Sequence, residues 1–173
     1  MDNPQKRSNN SYVRAFTIAA TVLLALTSCK AESASSGFES PNATIETLFR
    51  AYDVRDVPQA EIRRRLQARE RFKLVDENLF RSCFSNWQGE HDQGLGGFVF
   101  GQLVAAKDEL MIDIEGNTAY VRSSSTAPDY TPIVLIEQPA GWKIDLRKSV
   151  PPAIRQRLYE VYRHARRVER QAR

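Results

Sequence analysis

Four short segments with alternating apolar and polar residues, between positions 110 and 147, constrain the fold most strongly. Residues 110–115 carry an apolar Leu or Ile at every second position, which is the period of a β-strand. The dipeptide Gly116-Asn117 predicts a two-residue hairpin that leads into a second strand over 118–123. Further strands are predicted over 133–137 and 142–147. Consecutive strands of this kind predict an antiparallel meander, with Asp113 facing solvent.

Amphipathic helices precede the meander. Ser40-Pro41 has the residues of an N-cap and a first helical position, and apolar residues recur from Ile45 to Tyr52 with the period of a helix face. A second, basic helix is predicted over 59–69. A third helix is predicted around the apolar residues of 75–87, with Asp76 as its cap. Helices followed by an antiparallel meander predict the α+β class.

A glycine-rich apolar stretch, GLGGFVFG at 94–101, separates the helices from the strands. Its glycines do not form the dinucleotide-binding pattern G-x-G-x-x-G, because Val99 occupies the third glycine position. No Lys-Ser/Thr pair follows, so the stretch does not match a phosphate-binding loop either. We interpret it as a turn with close backbone packing.

Residues 1–28 have the organisation of an export signal. Basic residues precede an uncharged run of twelve residues, 15–26. A membrane-spanning helix needs about 20 apolar residues, so the run has the length of a signal-peptide hydrophobic region. The next residues, Leu26-Thr27-Ser28-Cys29, resemble the lipobox of bacterial lipoproteins, in which an aliphatic residue and two small residues precede an obligate cysteine.

The lipobox resemblance implies cleavage before Cys29 and attachment of lipid to that residue. A diacylglyceryl group with an N-acyl chain exceeds the roughly two signals that stable membrane anchoring takes. We therefore expect a mature protein that is anchored in the bacterial cell envelope, faces the periplasm and does not span the membrane. Lys30 favours the outer membrane, because enteric-type sorting uses Asp at this position for retention at the inner membrane. Residues 29–40, rich in Ser and small side chains, are predicted to form a flexible tether.

The segment 41–147 resembles a known superfamily. Its helix start SPNATIETLFRAY (40–52) and its final strand GWKID (141–145) are similar to those of the nuclear transport factor 2-like superfamily, particularly its small bacterial lipoprotein members of unknown function. The resemblance implies a strongly curved sheet wrapped around a long helix, which leaves a conical pocket. The chain departs from this pattern in its four predicted strands and in the helical segment that follows them.

The resemblance also supplies candidate catalytic residues, because isomerases and dehydratases of this superfamily place Asp or His with Tyr partners in the cone. A pocket carboxylate with a raised pKa can move protons, and a Tyr hydroxyl can hold a developing oxyanion. Asp53, Tyr120 and Asp129 are the candidates for such a set. Tyr52 is expected to be a core residue, and His91 is expected in an exposed polar loop.

The sequence predicts neither a metal site nor a cofactor. The mature chain has only His91 and His164, far apart, and no Cys/His ligand spacing is present. Cys83 stands alone once Cys29 carries lipid. We interpret it as a small buried hydrophobe of the third helix, the alternative being an intermolecular disulfide in an oxidising compartment.

The net charge of +4 is unevenly distributed along the chain. Residues 74–146 carry four basic and eleven acidic side chains, whereas residues 147–173 carry nine basic and two acidic ones. An amphipathic helix is predicted in segment 148–173. Pro151-Pro152 suits the start of the helix, and an apolar seam follows from Ile154 to Val168. Its predicted surface-binding residues are Arg155, Arg157, Arg163, Arg166, Arg167 and Arg170.

Three arrangements of this basic helix are compatible with the sequence. It docks its seam on the domain, pairs with another helix, or lies on an anionic surface of lipid or lipopolysaccharide. The first expectation for function is a non-enzymatic envelope module that binds a partner protein or a small apolar ligand. The alternatives are an isomerase or dehydratase with a pocket Asp/Tyr pair, and a domain that presents the helix to an anionic surface. A nucleic-acid partner is not expected for an exported protein.

Overall fold

The computed structural model of the chain describes residues 37–124 and 131–172. The predicted signal peptide, Cys29, most of the predicted tether and Asp129 lie outside these residues. The described part is mixed: helices accompany a four-stranded antiparallel sheet, which confirms the predicted α+β class. Its elements are α1 (Pro41–Ala51), α2 (Gln59–Gln67), α3 (Glu77–Ser82), α4 (Gln93–Ala105), β1 (Leu110–Glu115), β2 (Thr118–Ser123), β3 (Ile133–Gln138), β4 (Gly141–Ile144), α5 (Leu146–Ser149) and α6 (Pro152–Gln171).

The first helix begins as predicted. The Ser40 hydroxyl oxygen caps α1 by accepting a hydrogen bond from the Ala43 N–H at 3.1 Å, and a proline occupies the first turn. Of the predicted apolar face, Ile45, Leu48 and Phe49 are fully buried and Tyr52 is partly buried. The predicted second helix is also present as α2, although it ends two residues early, at Gln67.

The third helix is shorter than predicted. As expected, the Asp76 carboxylate caps α3, accepting from the Leu79 N–H at 2.8 Å. Val75 lies before the helix and is 56% exposed, so its predicted place on the apolar face was wrong. The helix stops after Ser82 because the next carbonyl, that of Cys83, accepts a hydrogen bond from the Ile144 N–H of β4 at 2.8 Å. Tertiary pairing thus ends a helix that the apolar pattern alone would continue.

The glycine-rich stretch forms a helix, α4, so its interpretation as a turn was wrong. The predicted close packing is confirmed, because a Cβ atom on Gly96 would lie 2.4 Å from the Phe80 ring and 3.0 Å from the Phe84 ring. Gln93 and Gln102 are its only polar residues, so the helix has no polar face. A helix of this composition lacks the amphipathic period by which helices are recognised in a sequence.

The sheet is the predicted meander, in the order β1-β2-β3-β4 with antiparallel neighbours. Gly116 takes a positive φ of 59° in the hairpin between β1 and β2. Ala119 and Val121 of β2 are buried together with Leu135 of β3. Asp113 on β1 is exposed, as predicted.

The last strand is shorter than predicted and ends at Ile144. The chain turns there because the Asp145 carboxylate caps α5, accepting from the N–H groups of Arg147 and Lys148 at 2.9 and 3.1 Å. The other edge of β4 is covered by Phe38, whose carbonyl accepts from the Trp142 N–H at 2.7 Å. Residues 37–40, which the sequence assigns to the tether, are therefore part of the folded body.

Lys143 of β4 is buried, although it alternates in sequence with the core residues Trp142 and Ile144. Its ammonium group donates to the Ser82 carbonyl at 2.7 Å and lies 3.0 Å from the centre of the Phe38 ring. Burial lowers the pKa of Lys143. Both faces of this strand are thus covered by protein.

Aromatic rings fill the centre of the core. Tyr52 stacks on Phe100 of α4 with 3.6 Å between ring centroids, and meets Phe80 of α3 edge-on at 5.6 Å. Phe49 meets Phe100 edge-on, with 6.4 Å between ring centroids. Burial raises the pKa of Tyr52 to about 12. This residue is a core residue, as predicted.

Substitution of Gly96 by Ala will destabilise the fold, because the added methyl group collides with the Phe80 ring. We expect the free energy of unfolding, measured by urea denaturation, to fall by about 1–3 kcal/mol. Gly101→Ala in the same helix is the matched control, since a Cβ there meets no atom within 4 Å. It should stabilise the protein by about 0.5–1 kcal/mol through helix propensity. Equal effects of the two substitutions would contradict the packing described.

Candidate binding surface on the C-terminal helix

The first half of α6, 152–162, packs on the body of the protein. Ile154, Leu158 and Tyr159 contact the core, and the Leu158 side chain lies over Gly94 at the start of α4. The Arg155 guanidinium donates to the Arg147 carbonyl of α5 at 3.0 Å. This half of the helix is therefore docked on the domain, which is one of the three predicted arrangements.

A buried carboxylate holds α6 in place. Asp92 is only 3% exposed; its Oδ1 accepts from the Tyr159 hydroxyl at 3.0 Å, and its Oδ2 accepts from the Gln88 N–H at 2.7 Å. Burial, and secondarily the bond to Asp92, raises the pKa of Tyr159. Hydrogen bonds of this kind offset the cost of removing a carboxylate from water.

The second half of α6 leaves the body. Every described residue from 163 to 172 is exposed, including Val168 at 51%. We call residues 163–171 the outer half of α6. The apolar seam predicted from the sequence therefore splits: Ile154 and Leu158 are partly buried against the core, whereas Val161 is 67% exposed and Ala165 is exposed with it.

The outer half has two different faces. Successive residues of an α-helix are rotated by about 100°, so Val161, Ala165 and Val168 share one face. Three arginines occupy the opposite face: Arg163, Arg166 and Arg170. Arg166 is paired with Glu169 at 3.0 Å, and Arg163 makes no ion pair with any residue that the structure describes. Of the other predicted surface-binding residues, Arg157 is exposed one turn before Val161 on the valine side of the helix, and Arg167 is exposed beside the arginine face.

The arginine face continues into a groove against the Glu90–Asp92 turn, a short 3₁₀ helix. This groove, which we call the His91 groove, has a volume of about 540 Å³. The His91 ring lies 5.5 Å from the Tyr159 ring and 6.3 Å from the Tyr162 ring. The residues that line the groove are His91, Pro152, Arg155, Gln156, Tyr159, Tyr162 and Arg163.

His91 was expected in an exposed polar loop; it lies in the Glu90–Asp92 turn with its side chain 37% exposed, and its ring stands beside α6, which was not expected. The sequence contained one usable signal, the pair of tyrosines at positions 159 and 162, three residues apart and flanking the apolar seam. Aromatic residues beside a seam widen the buried face of a helix and need a partner for their hydroxyl groups. No sequence pattern, however, identifies the Glu90–Asp92 turn as that partner.

The two candidate catalytic residues that the structure describes, Asp53 and Tyr120, do not lie in the core. Asp53 is exposed in the turn after α1, at a φ of 53°. Tyr120 lies on β2 between the buried Ala119 and Val121, so its side chain projects from the opposite face of the sheet. Asp129 lies outside the described residues. Among the residues described, no group of three or more His, Cys, Asp or Glu side chains is arranged to hold a metal ion.

A second groove lies between α4 and the sheet and has a volume of about 560 Å³. Most of its lining is apolar, with Phe98 and Leu103 from α4 facing Val121 and Ile133 from the strands. Arg122 stands at this groove, together with two other polar residues, Gln102 and Ser123. The volume is in the range of small-molecule sites, which are about 300–1,000 Å³.

Comparison of the chain with protein-family models, with curated proteins and with solved structures finds no match. Across residues 37–124 and 131–172, no helix is both long and apolar enough to cross a bilayer. Inferences about function therefore depend on the geometry of the chain itself and on its sequence motifs.

Cys83 is buried, as predicted, and burial raises the pKa of its thiol to about 12. At pH 8 only about one molecule in ten thousand then carries the reactive thiolate. In a Cys29→Ala variant, where Cys83 is the only thiol, we expect no reaction with a thiol-specific chromogenic reagent until denaturant is added. Rapid labelling of the folded protein would contradict this burial and would favour the disulfide alternative.

Proposed function

We propose that the protein is a lipid-anchored, non-enzymatic binding module of the bacterial cell envelope that presents the outer half of α6 to an anionic surface of lipid or lipopolysaccharide. The observation that carries the proposal is that the first half of α6 packs on the body while every described residue from 163 to 172 is exposed, the outer arginines included. A lipid on Cys29 would keep this helix close to a membrane surface. The arginine face then acts as a second, electrostatic contact.

Charge contributes more to this contact than apolar insertion. Each basic side chain near an anionic membrane surface contributes about 1 kcal/mol. The opposite face offers two valines and an alanine, a small apolar area of the size that is ordinary on soluble proteins. Since the two faces lie on opposite sides of the helix, only one of them can meet the surface, and we propose that it is the arginine face.

We further propose that residues 41–147 form a variant of the nuclear transport factor 2-like cone. The apolar groove between α4 and the sheet supports this, because a cone has its pocket between helix and sheet. The groove also favours a second candidate role, the binding of a small apolar ligand. The exposure of Asp53 and the position of Tyr120 on β2 argue against the isomerase or dehydratase alternative.

The surface contact can be tested with a soluble form, residues 30–173, and vesicles of mixed neutral and anionic phospholipid. We expect binding that weakens steeply as salt rises from 0.05 to 0.5 M, since salt at about 0.1 M already screens exposed charges beyond about 10 Å. The triple variant Arg163→Gln, Arg166→Gln, Arg170→Gln should lose about 3 kcal/mol, or roughly 100-fold in affinity, in a sedimentation assay.

The matched control is the double variant Val161→Ser, Val168→Ser, which alters the opposite face of the same helix. We expect its affinity for the vesicles to stay within about twofold of the parent. A large loss in this variant, with binding that resists salt, would mean that the helix inserts through its valine face and would refute the electrostatic contact.

The anchor is tested separately, by labelled-palmitate incorporation in a bacterial host. The full chain should be labelled and recovered with membranes. A Cys29→Ala variant should lose the label, because the lipid has no other attachment site in the lipobox pattern. Label that persists in the variant would contradict the assignment of Cys29.

A further inference from the structure

The His91 groove has the composition of a site for an anionic ligand. At one end Arg147 and Arg155 stand together, where they line a smaller extension of about 340 Å³ with His91, Gln88 and Tyr159. At the other end stands Arg163. None of these three arginines makes an ion pair with a carboxylate in the part of the chain that the structure describes, although the chain forms such pairs elsewhere, as between Arg63 and Glu109 at 2.6 Å.

Between these two cationic ends the groove is aromatic. The Tyr159 hydroxyl is engaged by buried Asp92 at 3.0 Å, and the Tyr162 hydroxyl lies 3.4 Å from a Glu90 oxygen. Their rings are thereby held in position beside His91, at 5.5 and 6.3 Å. Aromatic faces fixed in this way suit the flat, weakly polar face of a sugar ring better than a hydrated ion.

The spacing of the cationic ends sets the length of the ligand. Arg155 and Arg163 are eight residues apart on one helix, which corresponds to about 12 Å along its axis. Guanidinium groups bind phosphate and carboxylate oxygens through paired, charge-assisted hydrogen bonds. A disaccharide with an anionic group at each end spans a comparable distance, whereas a single phosphate reaches only one end.

We propose that the His91 groove binds a saccharide with two anionic groups, one held by Arg147 and Arg155, the other by Arg163, and its sugar rings against Tyr159 and Tyr162. This inference rests on the proposed function and deepens it, because it specifies a head group that the envelope surface would present. Such a ligand could be free or belong to a glycolipid, and the chemistry that the groove recognises is the same in both cases.

Titration calorimetry on the mature, detergent-solubilised lipoprotein tests the proposal. The probe is a glucosamine disaccharide phosphorylated on both sugars and freed of acyl chains. We expect it to bind, and we expect removal of either phosphate to lower the affinity tenfold or more, as loss of a charge-assisted bond does. Inorganic phosphate should bind at least tenfold more weakly than the disaccharide. A second arm with the acylated form in vesicles separates recognition of the head group from recognition of the lipid.

The variants Arg155→Gln and Arg163→Gln should each lower the affinity tenfold or more, and Tyr162→Ala should weaken binding by removing a ring. Arg71→Gln, which removes one charge from an exposed residue outside the groove, is the control and should change the affinity less than twofold. The Arg155 side chain bonds to the Arg147 carbonyl, and Arg155→Gln removes that bond. If this variant unfolds the helix, Arg147→Gln tests the same end of the groove independently, because the Arg147 side chain is exposed.

Three results would overturn the proposal: no binding of the disaccharide, equal binding of inorganic phosphate, or an equal loss in Arg71→Gln. A single-stranded oligonucleotide that competes as well as the disaccharide would also overturn it. Phosphatidylglycerol vesicles distinguish the two proposals. If they bind the protein while the disaccharide does not, the anionic surface contact stands and the saccharide site falls; the reverse result removes the contact with anionic phospholipid and keeps the site.

Discussion

The hydrogen bond from the Tyr159 hydroxyl to the buried Asp92 carboxylate determines what α6 can do. It joins the C-terminal helix to the turn that precedes α4, and α4 packs against the aromatic core of the body. A carboxylate that is 3% exposed needs its partners, so removing the Tyr159 hydroxyl leaves a buried charge short of a hydrogen bond. The same bond fixes the rings of the His91 groove and decides where the helix leaves the body. Together with the contacts of Ile154 and Leu158 and the bond from Arg155 to the Arg147 carbonyl, it forms the attachment on which the groove and the outer arginine face depend.

The strands and α1 could be predicted from the sequence because their signals are local. The Gly116-Asn117 hairpin, the alternation along β1 and the Ser40-Pro41 cap each depend on neighbours in the chain. The glycine-rich helix could not be recognised, because a helix with apolar residues on all sides has no period to detect, and its Gly96 is explained only by the Phe80 and Phe84 rings that it admits. The end of α3 was missed for a related reason, since it depends on pairing of Cys83 with a strand about sixty residues later.

The candidate site shows the same division. The arginines of α6 and its apolar seam are readable in the sequence, but the division of the seam into a covered and an exposed half is not, since it depends on where the Glu90–Asp92 turn and Gly94 contact the helix. His91 had no distinguishing pattern of its own and gains its place only through Tyr159 and Tyr162. Conversely, Asp53 and Tyr120 matched a catalytic set by residue type, and their positions in the fold keep them apart from a common cavity.

Amide hydrogen exchange along α6 tests the account most directly. With the protein alone, residues 155–162, whose N–H groups are bonded within the helix, should exchange slowly because Asp92 and the core hold them, and residues 163–171 should exchange fast. Added anionic vesicles should slow exchange in the outer half while leaving the first half unchanged. Uniform protection of the whole helix before vesicles are added, or an outer half that vesicles leave unprotected, would contradict a helix that is docked by one half and presented to an anionic surface by the other.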